Sequence, residues 1–184
     1  RLHPIEIDEA LMSVKLKLNL PRSVWSAKDT KTIALNTVAT VKRRTMKGLS
    51  SNGGKFKEYS TKPMYVSFKG ARLKPKGGTR VSRTGKSIYY DGGYRQYKND
   101  SRKRQGGQGK TAEVDLVLSG QLMNNLVVLE ATDTRFRIGL TKHVQHYGYE
   151  VHKARPFIGL TDDEINVLVN AVAFDISKKL GRKT

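Results

Sequence analysis

The residues best equipped for chemistry lie between Lys62 and Lys110, where fourteen Lys or Arg side chains accompany only Asp91 and Asp100. Twelve of the chain's nineteen surplus positive charges therefore sit in about a quarter of its length. Lys69, Arg72, Lys74, Lys76, Arg80, Arg83, Arg95, Arg102, Lys103 and Arg104 can neutralise phosphates or pair with carboxylates. Tyr94 and Tyr97, set among them, can stack on bases. Such basic excess attracts polyanions and speeds association by long-range steering. The same composition suits a solvated loop, or a segment that threads between neighbouring subunits, burying its tyrosines and pairing its charges with acidic surfaces. Composition alone does not separate these readings; DNA binding that falls steeply with salt would favour the first.

Other chemistries find less support. His143, His146 and His152 invite a metal, but only Glu150 lies nearby as a further ligand, and Gly148 argues against a helix that would hold the first pair. Ser119-Gly120 is not set in a G-x-S-x-G elbow. Gly106-Gly107-Gln108-Gly109-Lys110-Thr111 echoes a phosphate-binding loop, yet the first glycine is misplaced and no apolar strand precedes it. The carboxylates are few and scattered, which speaks against general acid–base work. The expectation is a protein without catalytic, cofactor-binding or metal-binding residues.

With 184 residues the chain can build one domain with a real core, and its apolar content of 37% leaves room for polar segments that add little to it. It contains no cysteine, so disulfides and thiolate metal sites are excluded. No apolar run approaches the eighteen or so residues of a membrane span, and Arg1-Leu2-His3-Pro4 lacks the apolar core of a signal peptide. The simple expectation is a soluble protein made inside the cell.

The elements that must position these residues are legible in part. Val14, Leu16, Leu18 and Leu20 alternate with polar residues and predict a strand closed by Pro21, preceded by a short helix over Ile5–Leu11. Ser26 and Asp29 open a helix over Ala27–Lys47, with Lys42, Arg43, Arg44 and Lys47 favoured by the helix dipole at its end and Gly48 as its stop. Periodicity then fails, and residues 49–111 read as a basic Gly/Tyr-rich extended loop or arm, although its eight aromatics allow local packing. Val114–Leu118 reads as a strand, Ser119 as the cap of a short helix, and Leu126–Ala131 with Arg135–Leu140 as a hairpin burying Phe136, Ile138 and Leu140. A loop with three histidines spans Thr141–Ala154. The final helix starts from a capping box of Thr161 and Glu164 and carries Ile165, Leu168, Val169, Val172 and Ile176 at helical spacing up to Gly181. Clustered strands predict a single α+β domain over 1–184: an antiparallel sheet with a β-hairpin packed against two long helices, plus the basic loop insertion.

Taken in order, these motifs resemble a known family. Val114-Asp115-Leu116-Val117-Leu118-Ser119-Gly120-Gln121-Leu122-Met123, a hairpin, His146-Tyr147-Gly148, and then Arg155-Pro156-Phe157 leading to Thr161-Asp162-Asp163-Glu164 are similar to the virion-morphogenesis or tail-completion proteins of tailed bacteriophages. Gly54-Lys55-Phe56-Lys57-Glu58-Tyr59-Ser60 and Asp91-Gly92-Gly93-Tyr94-Arg95-Gln96-Tyr97 resemble segments of the same family. The resemblance covers most of residues 27–180 through short, degenerate motifs, and the 62–110 segment departs from it in being longer and more basic. It implies a non-enzymatic virion protein: one subunit of a ring, often of six, at the neck or tail end, joining the tail tube to the head connector, with DNA passing through the channel. In that setting the 62–110 segment would supply the reaching contacts to neighbours or DNA. The alternative is a basic nucleic-acid-binding module that acts alone. Arg155-Pro156-Phe157 also has a plain physical reading, in which Pro156 biases Arg155 toward extended backbone and Phe157 staples the helix entry.

Overall fold

The computed structural model describes residues 6–8, 13–18, 24–68, 80–104, 114–118 and 120–181. The chain divides into two compact units, one of residues 1–56 with 119–184 and one of residues 57–118.

The first unit is built on a four-stranded antiparallel sheet in the order β1-β2-β6-β5, formed by β1 (Glu6–Asp8), β2 (Ser13–Lys17), β5 (Leu126–Ala131) and β6 (Arg135–Leu140). The predicted helix over Ile5–Leu11 is thus corrected at its described residues: Glu6, Ile7 and Asp8 pair with Lys15, Val14 and Ser13 as an edge strand, while Ile5 and residues 9–11 lie outside the described residues. Three residues pair with little length to nucleate a helix, and the β2 edge offers them a ladder. Alternation in β2 works as expected, because Val14, Leu16 and Leu18 are all buried; Leu20 and Pro21 lie outside the described residues. Val14 faces Ile138 and Leu16 faces Phe136 in register, so both strands turn one apolar face to the same side. A bulge between Val128 and Glu130 in β5 leaves Leu129 partly exposed and brings the Glu130 carboxylate to the Arg135 Nε at 2.8 Å.

That apolar face is covered by α1 (Ala27–Met46), which packs on β5 and β6. Its Ser26–Asp29 capping box is complete: the Ser26 backbone N–H donates to Asp29 at 2.9 Å, and the Asp29 N–H donates back to the Ser26 hydroxyl. Ile33, Ala34, Val38 and Val41 fill the core against Phe136, Ile138 and Leu140. After α3 (Gln121–Asn124), whose N-cap position is Gly120 rather than the predicted Ser119, the hairpin forms as expected with Phe136, Ile138 and Leu140 wholly buried.

The histidine-bearing segment is not a loop but α4 (Lys142–Ala154), and here the sequence expectation is corrected. Gly148, which argued against a helix, is buried where α4 crosses β6, and a Cβ there would overlap Leu140 Cδ1. Glycine is tolerated mid-helix because it permits that close approach. Gly148→Ala is therefore expected to lower unfolding free energy by about 1–3 kcal/mol despite alanine's better helix propensity, read by urea denaturation. α4 ends at Ala154, and the capping residue Arg155 has left helical backbone at a φ of −148° and ψ of 87°, as the ring of Pro156 disfavours the helical region before it. α5 (Asp162–Gly181) follows and runs beside α1. Lys179 near its end reaches Asp29 at 2.5 Å and lies 5.2 Å from the Trp25 ring centroid. Lys179 first, and then Ser26, hold the Asp29 carboxyl below its ordinary range.

Within the expected arm over 49–111, of which 69–79 and 105–111 lie outside the described residues, the second unit has regular elements and the local aromatic packing that its composition allows. It contains β3 (Met64–Ser67), antiparallel to β4 (Ser87–Tyr90), and α2 (Gly93–Arg104). Its core is largely aromatic: Ile88, Tyr90 and Tyr97 are buried, with Met64, Val66, Phe68, Tyr94 and Leu118 packed around them. Tyr59, Tyr94, Tyr97 and Tyr90 form a chain of tilted or edge-on ring contacts with centroids 5.3 to 5.9 Å apart. Gly93 starts α2 at a φ of 63°, pressed so close to the backbone of Ser60 and Lys62 that no side chain would fit. Val114–Leu118, predicted as a strand, is irregular, with Leu116 at a φ of 52°. The reason is side-chain pull: Asp115 is drawn into ion pairs, and the Leu116 N–H donates to the Tyr59 hydroxyl at 3.1 Å.

Candidate interaction site

The predicted contact residues fall into three groups. Lys69, Arg72, Lys74 and Lys76 lie outside the described residues, and Lys103 and Arg104 end α2 with their side chains also outside them. Tyr94, Tyr97 and Arg102 are used internally. Tyr97 is buried, Tyr94 packs against Tyr59 and Tyr97, and Arg102 donates to Asp115 Oδ2 at 2.6 Å. All three make contacts within the second unit, Tyr97 buried and Tyr94 and Arg102 half-buried. Arg80, Arg83 and Arg95 are exposed.

The residue that sequence reading missed in this unit is Lys98. It is 1% exposed, yet its ammonium donates to Asp115 Oδ1 and to the Tyr59 hydroxyl, and lies 4.2 Å from the Tyr59 ring centroid. Burial pushes the Asp115 carboxyl up, but hydrogen bonds from Lys98 and the Val117 N–H, with the charges of Lys98 and Arg102, outweigh it and hold the group below its ordinary range. A lysine four residues before Arg102 on a helix faces the same way, so the pair could have been found by spacing. Their common carboxylate, more than ten residues on, could not.

In the first unit, Arg44 is likewise more than a charge at a helix end. It is 7% exposed and ion-paired with Glu164, and its Nη2 donates to the carbonyls of Phe157 at 2.6 Å and Gly159 at 3.1 Å. The same Glu164 oxygen accepts from the Thr161 N–H at 2.9 Å, and the Glu164 N–H donates to the Thr161 hydroxyl, so the expected capping box is present. Arg44 thereby ties the Arg155-Pro156-Phe157 entry segment to α1. Pro156 joins through its carbonyl, which accepts from the Ser51 N–H at 2.9 Å. Phe157 is wholly buried, but it sits four residues before the Thr161 cap and packs edge-on against His152 at 5.5 Å instead of stapling the first turn. His152 Nδ1 lies 3.2 and 3.3 Å from the backbone N–H groups of Phe157 and Ile158, which donate to it. His143 and His146 are exposed, and among the described residues no group of three or more His, Cys, Asp or Glu is placed to hold a metal.

Between α1 and α5 runs an open groove of about 410 Å³, lined by Ile33, Thr37, Leu160, Val167, Leu168 and Ala171 among others, with Arg43 and Asp163 also on its walls. The buried residues of α5 are Leu168 and Val172, whereas Val167 and Phe174 are 69% and 68% exposed. Val167, Ala171 and Phe174 form a second stripe at i, i+4 and i+7, beside the buried one. No helix among the described residues is long and apolar enough to cross a membrane. No protein-family model, curated protein or solved structure matches this chain.

Proposed function

We propose that this chain is a structural, non-enzymatic component of a tailed-phage virion: a ring-forming tail-completion or neck subunit that joins the tail to the head connector. The observation that carries this reading is the apolar surface left uncovered on α5. A helix that is apolar beyond the stripe it buries belongs inside a larger structure, and Val167, Ala171 and Phe174 continue the groove between α1 and α5 outward. A second copy supplies the cover. Each subunit offering this face to a different patch on the next makes a heterologous contact, and such contacts form a ring when the rotation between neighbours closes. The order of motifs from Val114 through Arg155-Pro156-Phe157 to Glu164 supports the phage assignment, which implies a ring, often of six copies, with connector and tail-tube proteins as neighbours and DNA in the channel.

Assembly in the virion tests this reading. Val167→Asp combined with Phe174→Asp alters only exposed side chains, so the first unit keeps its fold, read by far-ultraviolet circular dichroism. Electron micrographs of particles made with this variant as the sole source of the chain are expected to show heads and tails unjoined. Normally joined particles containing the variant would refute the reading.

A further inference from the structure

We infer that the solvent face of the small sheet in the second unit is a stacking platform for single-stranded nucleic acid, a binding function separate from ring formation. Three observations on one surface point to it. The first is the placement of aromatics. In β3 and β4, Met64, Val66, Ile88 and Tyr90 face the core, and the alternate residues Tyr65 and Tyr89 stand directly opposite each other on the other face. Their ring centroids are 5.0 Å apart, and Tyr65 is 60% exposed, whereas Tyr59, Tyr90 and Tyr97 are buried.

The second is a cation in the same row. Val81 bridges to Ile88 and the Tyr89 N–H donates to the Arg80 carbonyl at 2.8 Å, so the chain at 80–82 forms a third edge beside β4. This places the Arg80 guanidinium 5.9 Å from the Tyr89 ring centroid. Tyr65, Tyr89 and Arg80 thus lie side by side across three backbone segments, with Ser67, Ser87 and Ser82 in the next row. The turn beyond is ordered by the Ser82 hydroxyl, which accepts from the Ser87 N–H at 3.2 Å, and it presents exposed Arg83 and Lys86.

The third is charge. Between Lys62 and Tyr90 the sequence has eight Lys or Arg and no Asp or Glu. Of the described cations there, Arg80, Arg83 and Lys86 have no carboxylate within ion-pair distance among the described residues. A row of this kind suits a ligand that alternates negative charge with flat apolar faces: the phosphates meet Arg80, Arg83 and Lys86, and an unpaired base stacks on Tyr65. A duplex hides its base faces and could use the cations only. Cross-strand pairing of Tyr65 with Tyr89 gives the sheet some stability by itself, but that role leaves the exposed ring of Tyr65 and the free cations unused.

Fluorescence anisotropy with the full chain tests the platform, using a labelled twenty-nucleotide oligo(dT), the corresponding oligo(U), a duplex of equal length and inorganic polyphosphate as competitor. Both single strands are expected to bind, more tightly than the duplex, with oligo(dT) against oligo(U) telling DNA from RNA preference. Tyr65→Ala should weaken oligo(dT) binding roughly five- to a hundredfold with little change in salt dependence. Arg80→Ala should lower the salt slope by about one phosphate contact. The exposed position of Tyr65 lets the variant fold, and an unchanged tyrosine near-ultraviolet signal from the buried rings checks this. Equal affinity for duplex or polyphosphate, or a Tyr65→Ala variant that binds as wild type, would overturn the inference in favour of charge attraction alone. Failure of ring formation would leave these results untouched.

Discussion

Arg44→Ala is expected to cost the first unit about 3–5 kcal/mol, a large share of the ~5–15 kcal/mol that holds a domain together. The reasoning starts from burial. Burial lowers the guanidinium's pKa and Glu164 beside it partly restores it, but an arginine remains charged in proteins. Its removal takes the donor from the carbonyls of Phe157 and Gly159 and leaves the Glu164 carboxylate its hydrogen bond from the Thr161 N–H but not its counter-charge. A buried charge that loses its partner is far more costly than a missing surface pair. Arg44→Lys should recover little, because one ammonium cannot reach a carboxylate and two carbonyls with the fixed fork of a guanidinium. Trp25, the chain's single tryptophan, lies in this unit with its indole N–H donated to the Thr30 hydroxyl at 2.8 Å. Urea unfolding followed by tryptophan fluorescence therefore reports this unit, and a midpoint unchanged in Arg44→Ala would contradict the assigned role.

Asp115→Ala is expected to cost the second unit a similar amount, about 3–5 kcal/mol, because it removes the carboxylate that both Lys98, 1% exposed, and Arg102 contact. Adding Lys98→Met should restore much of the loss by removing the buried ammonium that the carboxylate balances. The same cluster sets an acid limit. The folded-state pKa of Asp115 is held below the ordinary value of 3.8, so its contribution is complete above that value. It is lost as pH falls below 3.8 through the depressed folded value, where protonation removes the negative charge that Lys98 and Arg102 both contact. Near-ultraviolet circular dichroism of the tyrosines should show the wild-type unit losing stability in that window. Asp115→Asn with Lys98→Met should lose less there, and an identical acid profile in that double variant would contradict the cluster's role.

How far the sequence reveals this fold can be judged from particular residues. Val14, Leu16 and Leu18 declare their strand because one face is buried and the other is wet, and Ser26 and Thr161 declare their helix starts because capping is a local interaction. The α+β class and the hairpin followed from such signals. α4 was hidden because Gly148 answers a tertiary demand, the nearness of Leu140, which outweighs its poor helix propensity. The 57–118 unit is hard to read because its alternating strands are only four residues long and its core uses tyrosine and a lysine–aspartate pair in place of aliphatic residues. Candidate contact residues suffered likewise. Charge density located the basic segment, but only the placement of Tyr97 in the core and Arg102 against Asp115 separates structural from exposed side chains.

The most direct test of the central claim, that the α1–α5 face is an interface between copies, is sedimentation equilibrium of the full chain and of Val167→Asp with Phe174→Asp over a range of concentrations. The expected result is a closed oligomer of one defined mass for the wild type and a folded monomer for the double variant. A monomeric wild type at every concentration, or an oligomer that the double variant leaves intact, would contradict it.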